Sequence, residues 1–223
     1  RSKKKLGVNV TLDNRKVVKE AKTVVLAVKP QFYEEVIHQV KDLITDKHVV
    51  ISIAPGKSLD WLENQFGRPV KIVRTMPNTP ALVGEGMTGV CANTYVKDVE
   101  MAGVQEIIGS FGKYEIIPER LMDAVGAVSG SSPAYVFMFI EAMADAAVAE
   151  GMPRVQAYEF AAQAVLGSAK MVLETGRHPG ELKDMVCSPA GTTIQAVRLL
   201  EKCGFRSSVM EAMRACTEAG KKI

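Results

Sequence analysis

Residues 183–198 read Lys-Asp-Met-Val-Cys-Ser-Pro-Ala-Gly-Thr-Thr-Ile-Gln-Ala-Val-Arg and join two helical patterns through a run of small residues. Ser188 and Pro189 read as a helix-start pair, and Gly191 admits backbone shapes that other residues resist. Thr192 and Thr193 fall where the next helix begins. Unpaired backbone N–H groups and the positive end of a helix dipole are found at such a place. They can hold a small carboxylate or phosphate without any charged side chain. An ordinary helix–helix turn has the same composition, and this stretch alone fits that reading better. Lys29 is a second candidate. It follows a β-branched run and is held by Pro30, so it would point into a crevice and neutralise phosphate or carboxylate. An exposed strand-end lysine is the competing reading. Ser131 lies in the small-residue turn 129–133 and reads first as a helix entry.

Other strings carry less. Gly84-Glu85-Gly86-Met87-Thr88-Gly89 matches GxGxxG, but that fingerprint needs a strand before it and a helix after it. Here a proline-rich loop precedes and a strand-like run follows, so the glycines read as turn residues. A true phosphate loop is expected upstream of Arg1. His38, His48 and His178 have no evident acid–base partner. Four scattered cysteines with no CxxC pair suggest neither zinc nor a disulfide framework; reduced thiols point to the cytoplasm. A net charge of +3 is too small to argue for nucleic acid. The apolar region 124–149 is interrupted by Ser129-Gly130-Ser131-Ser132-Pro133 and carries Glu141 and Asp145. It reads as a buried helix with an approach loop, not a membrane span. Residues 1–6 form a basic run, best read as a solvated face.

The elements that must position these residues are legible from pattern. Residues 8–11 suggest a short strand, and Asn14 a helix N-cap. The run Val24-Val25-Leu26-Ala27-Val28 predicts a strand covered on both faces. A helix follows through Phe32, Val36, Ile37, Val40, Leu43 and Ile44. A strand at 48–54 ends in Ala54-Pro55-Gly56, and Ser58 caps a short helix. The strand at 70–73 leads into Met76-Pro77-Asn78-Thr79-Pro80. Strand, helix, strand, helix, strand in this order implies a parallel sheet, whose ligands bind at the carboxyl ends of the strands. Residues 86–92 and 113–117 suggest further strands around a helix at 98–111.

After Pro118 no convincing strand remains. Helices are expected at 133–149, closed by Gly151; at 153–174, rich in alanine; and at 193–202, closed by Gly204. Ser208 and Glu211 suggest a capping box for a last helix. Small residues on several helix faces let helices approach closely and suit an interlocked dimer. The domain boundary falls near Glu119, dividing the chain into 1–118 and 119–223.

Five stretches taken in order resemble the pyrroline-5-carboxylate reductases, most of all their bacterial members. They are Ala27-Val28-Lys29-Pro30, Met76-Pro77-Asn78-Thr79-Pro80, Val128-Ser129-Gly130-Ser131-Ser132-Pro133-Ala134-Tyr135, His178-Pro179-Gly180-Glu181-Leu182-Lys183-Asp184, and Cys187-Ser188-Pro189-Ala190-Gly191-Thr192-Thr193-Ile194. The resemblance implies α/β plus all-α architecture: a Rossmann-type NAD(P)-binding domain followed by a helical domain that interlocks with a second subunit. Assembly of dimers into rings is a further implication. The implied activity is reduction of the cyclic imine pyrroline-5-carboxylate to proline with NADPH or NADH, NADPH being favoured.

By that resemblance Asn14, Ala27, Val28, Lys29, Pro30, Ile53, Ala54, Pro55 and Met185 line the cofactor. Ser188, Gly191, Thr192 and Thr193 hold the substrate carboxylate, and the Thr193 hydroxyl meets the ring nitrogen. Glu119 lies near the substrate ring, where a carboxylate favours the protonated imine. Lys29 and Thr193 are the residues expected to act in the reaction. Two departures stand out. The family's glycine-rich first βα unit, about 30 residues, is absent, so weak cofactor binding is expected. Ala190 stands where many members have glycine, which matters if that position needs a positive φ. A hydroxy-acid or keto-acid dehydrogenase, using Lys170 or Lys183 as acid–base group, is one alternative. A dimerisation module without cofactor binding is another.

Overall fold

A computed structural model describes residues 7–221; the basic run at 1–6 lies outside the described residues. The chain forms two compact units, one of residues 1–131 with 215–223 and one of residues 132–214.

In the first unit, α1 (Asn14–Glu20) leads into β1 (Thr23–Leu26), a 3-10 turn (Pro30–Phe32) and α2 (Tyr33–Val40). Then come β2 (Val49–Ser52), α3 (Leu59–Phe66) and β3 (Lys71–Met76). A 3-10 turn (Thr79–Val83), β4 (Gly86–Ala92), α4 (Asp98–Gly109) and β5 (Gly112–Ile116) complete the sheet region. The five strands lie in the order β1-β2-β3-β4-β5. β1, β2 and β3 are parallel, with Leu26 opposite Ser52 and Ser52 opposite Arg74 at the last ladder pairs. β4 runs antiparallel to β3 and parallel to β5. The nine residues 77–85 between β3 and β4 are too few for a crossover, so the chain must return antiparallel.

The two faces of the sheet bury separate clusters. Val50 and Ile72 pack with Tyr33, Ile37, Leu62 and Phe66 of α2 and α3. Ile51, Val73 and Val90 pack with Val104 and Ile108 of α4. Fully burying each such aliphatic side chain contributes about 2 kcal/mol. β2 is therefore covered on both faces, as its unbroken apolar run requires. β1 is not: Val25 is 47% exposed, because this strand is at the edge of the sheet and only Val24 and Leu26 meet the helices.

Several local expectations change. Residues 8–11 form no strand. The α1 cap is Asp13, whose side chain accepts from the Arg15 N–H; Asn14 is the first helical residue. Either residue type can cap, and the one whose backbone is extended at the helix start takes the role. Ser58 does cap α3, accepting from Trp61 N–H at 3.0 Å, and Gly67 closes that helix at φ +67°.

After β5, a 3-10 turn (Glu119–Leu121) and α5 (Met122–Val125) pass into a π-helical segment (Gly126–Ser131). The helix is thus already running before Pro133.

The second unit holds α6 (Ser132–Ala149), α7 (Arg154–Thr175), α8 (Pro179–Val186), α9 (Thr192–Lys202) and most of α10 (Phe205–Gly220). Ala144, Ala157 and Ala161 form its small core between α6 and α7, where small side chains permit close approach. α6 was expected to be buried. Only Ala144 of it is, while Phe137 and Met138 are 60% and 68% exposed. Ser208 and Glu211 form no capping box, since α10 begins at Phe205, directly after Gly204 turns the chain at φ +74°. By length and composition, residues 119–149 form one helix long and apolar enough to cross a membrane.

The capping correction can be measured. Asp13→Ala is expected to cost about 1 kcal/mol in denaturant unfolding, and Asn14→Ala distinctly less; the reverse order would restore Asn14 as the cap.

Candidate active site

The carboxyl ends of β1 and β2 carry two of the sequence-predicted cofactor segments. Ala27, Val28 and Lys29 are exposed, Pro30 is half-buried, and Lys29 precedes the 3-10 turn with its carbonyl accepting from Phe32 N–H at 2.9 Å. Across from them stand Ile53, half-buried, Ala54, buried, and Pro55, half-buried. The two segments are brought together by Tyr33, which the sequence reading overlooked. Its hydroxyl donates to the Leu26 carbonyl at 2.5 Å and accepts from Ile53 N–H at 3.2 Å. Asn14 is placed differently: its Nδ2 donates to Gln39 Oε1 of α2, which ties it to the helical layer.

Within the same unit a cavity of about 410 Å³ opens beside the end of β2. Ile53, Pro55, Met76 and Pro77 make an apolar wall. Gly126, Ala127, Gly130 and Ser131 of the π segment, with Cys216 and Thr217 of α10, make another. π segments inside helices recur at functional sites. This one has a visible packing reason for glycine: a Cβ on Gly126 would lie 3.0 Å from Met76 Cε. Asn78 pins the Pro77 loop from both sides, accepting from Met87 N–H at 2.8 Å and donating to the Ser129 carbonyl at 3.1 Å. The Cys216 thiol donates to Ser131 Oγ at 3.0 Å.

Arg74 and Asp123 give the cavity its charge. Arg74 is only 7% exposed. Its Nη1 donates to Glu119 Oε1 at 2.8 Å, and Asp123 is 4.0 Å from Nη2. The same Glu119 oxygen accepts from Leu59 N–H at 2.7 Å, at the start of α3. Glu119 is thus engaged by a buried guanidinium and a helix N-terminus, and it does not line the cavity. The pair is flanked by Cys91, opposite Arg74 on β4. Burial first, and then the Glu119 carboxylate, pushes that thiol up to about 11 against the pull of Arg74.

The second unit carries the other sequence-predicted residues. Ser188 to Gly191 form a tight turn, with Gly191 N–H donating to the Ser188 carbonyl at 3.1 Å. Pro189 and Ala190 are its corner, and Ala190 sits at φ +59°. It is the sole non-glycine residue with positive φ among the described residues. The position does demand the left-handed region that alanine resists. Gly191 has its own constraint, since a Cβ there would lie 2.3 Å from Ser188 Oγ. α9 starts at Thr192, not at Ser188-Pro189, and no side chain caps it. Its first N–H groups, from Thr192 onward, are therefore left without a side-chain acceptor from the cap. Thr192 is exposed and Thr193 half-buried. Met185 is exposed on α8, with its sulfur against Arg177 Nη1 at 2.8 Å.

His178 and His48 serve as structure. His178 caps α8 through Gly180 N–H at 3.1 Å, and His48 accepts from Thr45 N–H at 2.9 Å. Of the rejected glycine string only Gly84, at φ +78°, is a turn residue; Gly86 and Gly89 lie in β4, opposite Gly112 and Met76.

Residues 119–223 match the family model described as pyrroline-5-carboxylate reductase dimerisation. Residues 1–56 match the model described as NADP oxidoreductase, coenzyme F420-dependent. The pyrroline-5-carboxylate reductase of Escherichia coli is 54% identical over 217 residues, covering 97% of this chain and 81% of that protein. That of Methanosarcina acetivorans is 47% identical over 219 residues, covering 98% and 81%. The chain belongs to the pyrroline-5-carboxylate reductase family.

The crystal structure of the Plasmodium falciparum pyrroline carboxylate reductase with NADP bound superposes with a TM-score of 0.92 at 35% identity, covering 98% of this chain and 83% of that one. The Coxiella burnetii reductase gives 0.90 at 37% identity, covering 99% and 82%. The expected fold class is therefore the one found: a Rossmann-type sheet domain and the family's helical dimerisation domain.

Two substitutions test the geometry of the reductase. Ala190→Gly is expected to stabilise the protein by up to about 1 kcal/mol by removing the left-handed alanine, read as a rise in unfolding midpoint. Glu119→Ala is expected to cost about 2 kcal/mol, because a buried guanidinium loses its partner while the glutamate itself is part-exposed. Glu119→Gln, which still accepts from Leu59 N–H, should cost less; no cost at all for Glu119→Gln would show that the Arg74 charge is not what Glu119 serves.

Proposed function

We infer that this protein reduces 1-pyrroline-5-carboxylate to proline, the last step of proline biosynthesis, using NADPH in preference to NADH. The observation that carries the reading is a relative of that name, 54% identical along 97% of the chain. The strand-end crevice supports it. Exposed residues Ala27 and Val28, with the Lys29 cation beside them and no carboxylate in either turn, suit a polyanionic dinucleotide. The neighbouring cavity has an apolar wall of Ile53, Pro55, Met76 and Pro77 and polar atoms from Arg74, Asp123 and Ser131. Such a lining fits a flat ring bearing a carboxamide. NADP in the Plasmodium falciparum relative agrees with this choice.

When bound, the reduced dinucleotide supplies a hydride to the imine carbon, and the ring nitrogen ends protonated. The protein's own part is positioning and electrostatics. The N–H groups of Thr192 and Thr193 hold the substrate carboxylate. Gly191 contributes shape, because its N–H already closes the turn. The Thr193 hydroxyl hydrogen-bonds the ring nitrogen and orients the imine, with Ser188 at the turn's edge. Met185 touches the cofactor, and Asn14 and Lys29 hold its polar parts. Glu119 acts through Arg74, fixing the wall near the ring.

The helical domain supplies self-association. We read the assembly as an interlocked homodimer, in which the turn at Ser188 of one chain serves the crevice of a second, with dimers able to build rings. A cytoplasmic enzyme with reduced thiols suits the four free cysteines.

A hydroxy-acid dehydrogenase reading would need a lysine that exchanges protons near neutral pH. Lys183 is held protonated by Asp184, which raises its pKa, and Lys170 pairs with Glu174 at 3.4 Å. Neither suits the role. Thr193→Ala is expected to lower kcat/KM for the imine about a hundredfold, and Lys183→Ala to change it little, in an NADPH-oxidation assay. Loss confined to Lys183→Ala would sink the imine reading. Absence of NADPH binding in fluorescence titration would favour a dimerisation module instead.

A further inference from the structure

A line of buried hydroxyl groups runs across the carboxyl ends of β1, β2 and β3, just beyond the last ladder pairs. The Tyr33 side chain is fully buried. Its hydroxyl donates to the Leu26 carbonyl and accepts from Ile53 N–H and, at 3.3 Å, from Ser52 Oγ. Ser52 Oγ in turn accepts from Ala54 N–H at 3.4 Å. On the other side of β2, Thr75 Oγ1 donates to the Ser52 carbonyl at 3.0 Å. Ser52 and Thr75 are likewise buried. The regular parallel ladder stops at Leu26, Ser52 and Arg74. Past that point the backbone must splay to form the two turns, and its polar groups still need partners. Three side-chain hydroxyls provide them.

We propose that Tyr33, Ser52 and Thr75 form a positioning relay that sets the spacing between the 27–30 and 53–55 turns, and thereby the affinity for the dinucleotide. The inference rests on the cofactor reading above. Tyr33 is the key member, because it alone bonds both turns: Leu26 immediately precedes one, and Ile53 opens the other. The tyrosine ring sits among Ile37, Val50 and Leu62 in the same cluster, so it cannot swing away to find other partners. Burial raises its pKa above the ordinary tyrosine value, and the hydroxyl stays a donor to Leu26 at any pH the enzyme meets. Buried networks of this kind specify one arrangement when every member is satisfied. Removing one member leaves a carbonyl and an N–H orphaned at the place where the cofactor must lie.

The test is Tyr33→Phe, which keeps the ring and removes the hydroxyl, with Ser52→Ala and Thr75→Val as companions. NADPH dissociation constants are measured by fluorescence titration in the whole protein. Ile53 and Ala54 amide exchange is followed without cofactor. The expected result is an NADPH Kd raised about tenfold in Tyr33→Phe, equivalent to about 1.4 kcal/mol, with kcat at saturating NADPH and KM for the imine nearly unchanged. Faster exchange at Ile53 should accompany it. Ser52→Ala should raise the Kd less, and its effect should not add to that of Tyr33→Phe, as expected for groups in one network. A lower unfolding midpoint with Kd unchanged within about twofold in Tyr33→Phe and Ser52→Ala would overturn the proposal, leaving the relay structural only. If Tyr33→Phe does not fold, the Ser52→Ala and Thr75→Val constants decide by the same criterion. Wild-type protein that fails to bind NADPH would overturn the cofactor reading and the relay's role with it.

Discussion

The buried Arg74 guanidinium is the charge around which the first unit is arranged. A strand residue at the sheet centre would ordinarily be apolar, and an ionised side chain there is costly unless fully met by partners. Glu119 meets it from the turn after β5, and Asp123 approaches from α5. Because the same Glu119 oxygen also takes the Leu59 N–H, one carboxylate joins β3, the start of α3 and the entry to the π segment. The wall of the cavity and the start of α3 are thus held by a single electrostatic centre. Cys91 is drawn into it, kept a neutral thiol by burial and the neighbouring carboxylate.

What could be read from residues alone follows from how local each cause is. The strands at β1, β2 and β3 were legible because β-branched runs end in Lys-Pro, Ala-Pro-Gly and Met-Pro-Asn, and such punctuation stops a ladder wherever it occurs. Ser58 was legible because a cap and its helix are contiguous. Asp13 and Asn14 are adjacent and chemically equivalent as caps, so pattern could not choose between them. Ser208 misled because Gly204 had already started the helix four residues earlier. Strand direction at β4 follows from the length of the 77–85 connection, a cue present in the sequence.

The site shows the same division. Ser188 to Thr193 could be found because turn and helix start lie in one short stretch, and the demand of position 190 for glycine was posed as a question that the φ of Ala190 answers. Tyr33 could not be found that way. A tyrosine at helical spacing looks like any core aromatic, and only the folded sheet brings its hydroxyl to Leu26 and Ile53. Arg74 likewise gave a signal, a charge next to the apolar pair Ile72-Val73 of its strand, but its partner is 45 residues away. Glu119 was noticed for a role at the substrate; its contacts make it first a partner of Arg74.

The helical unit poses a different problem, which the single chain does not solve. α6 is apolar nearly all round, and a helix of that kind must be buried somewhere. Yet Phe137 and Met138 of α6, Phe160 and Leu173 of α7, and Met210 of α10 are largely exposed, while the internal core rests on three alanines. Alanine cores let helices approach but bury little apolar area, so the unit leaves most of its hydrophobic surface to be covered from outside. Length and composition alone would allow lipid as the cover. Glu141 and Asp145, near the middle and end of α6, would be costly in lipid. The match of residues 119–223 to a dimerisation family supplies the other cover, a second copy. Burial of those faces against a twin would complete the core that each chain leaves open, and would make the stability of the helical unit depend on protein concentration.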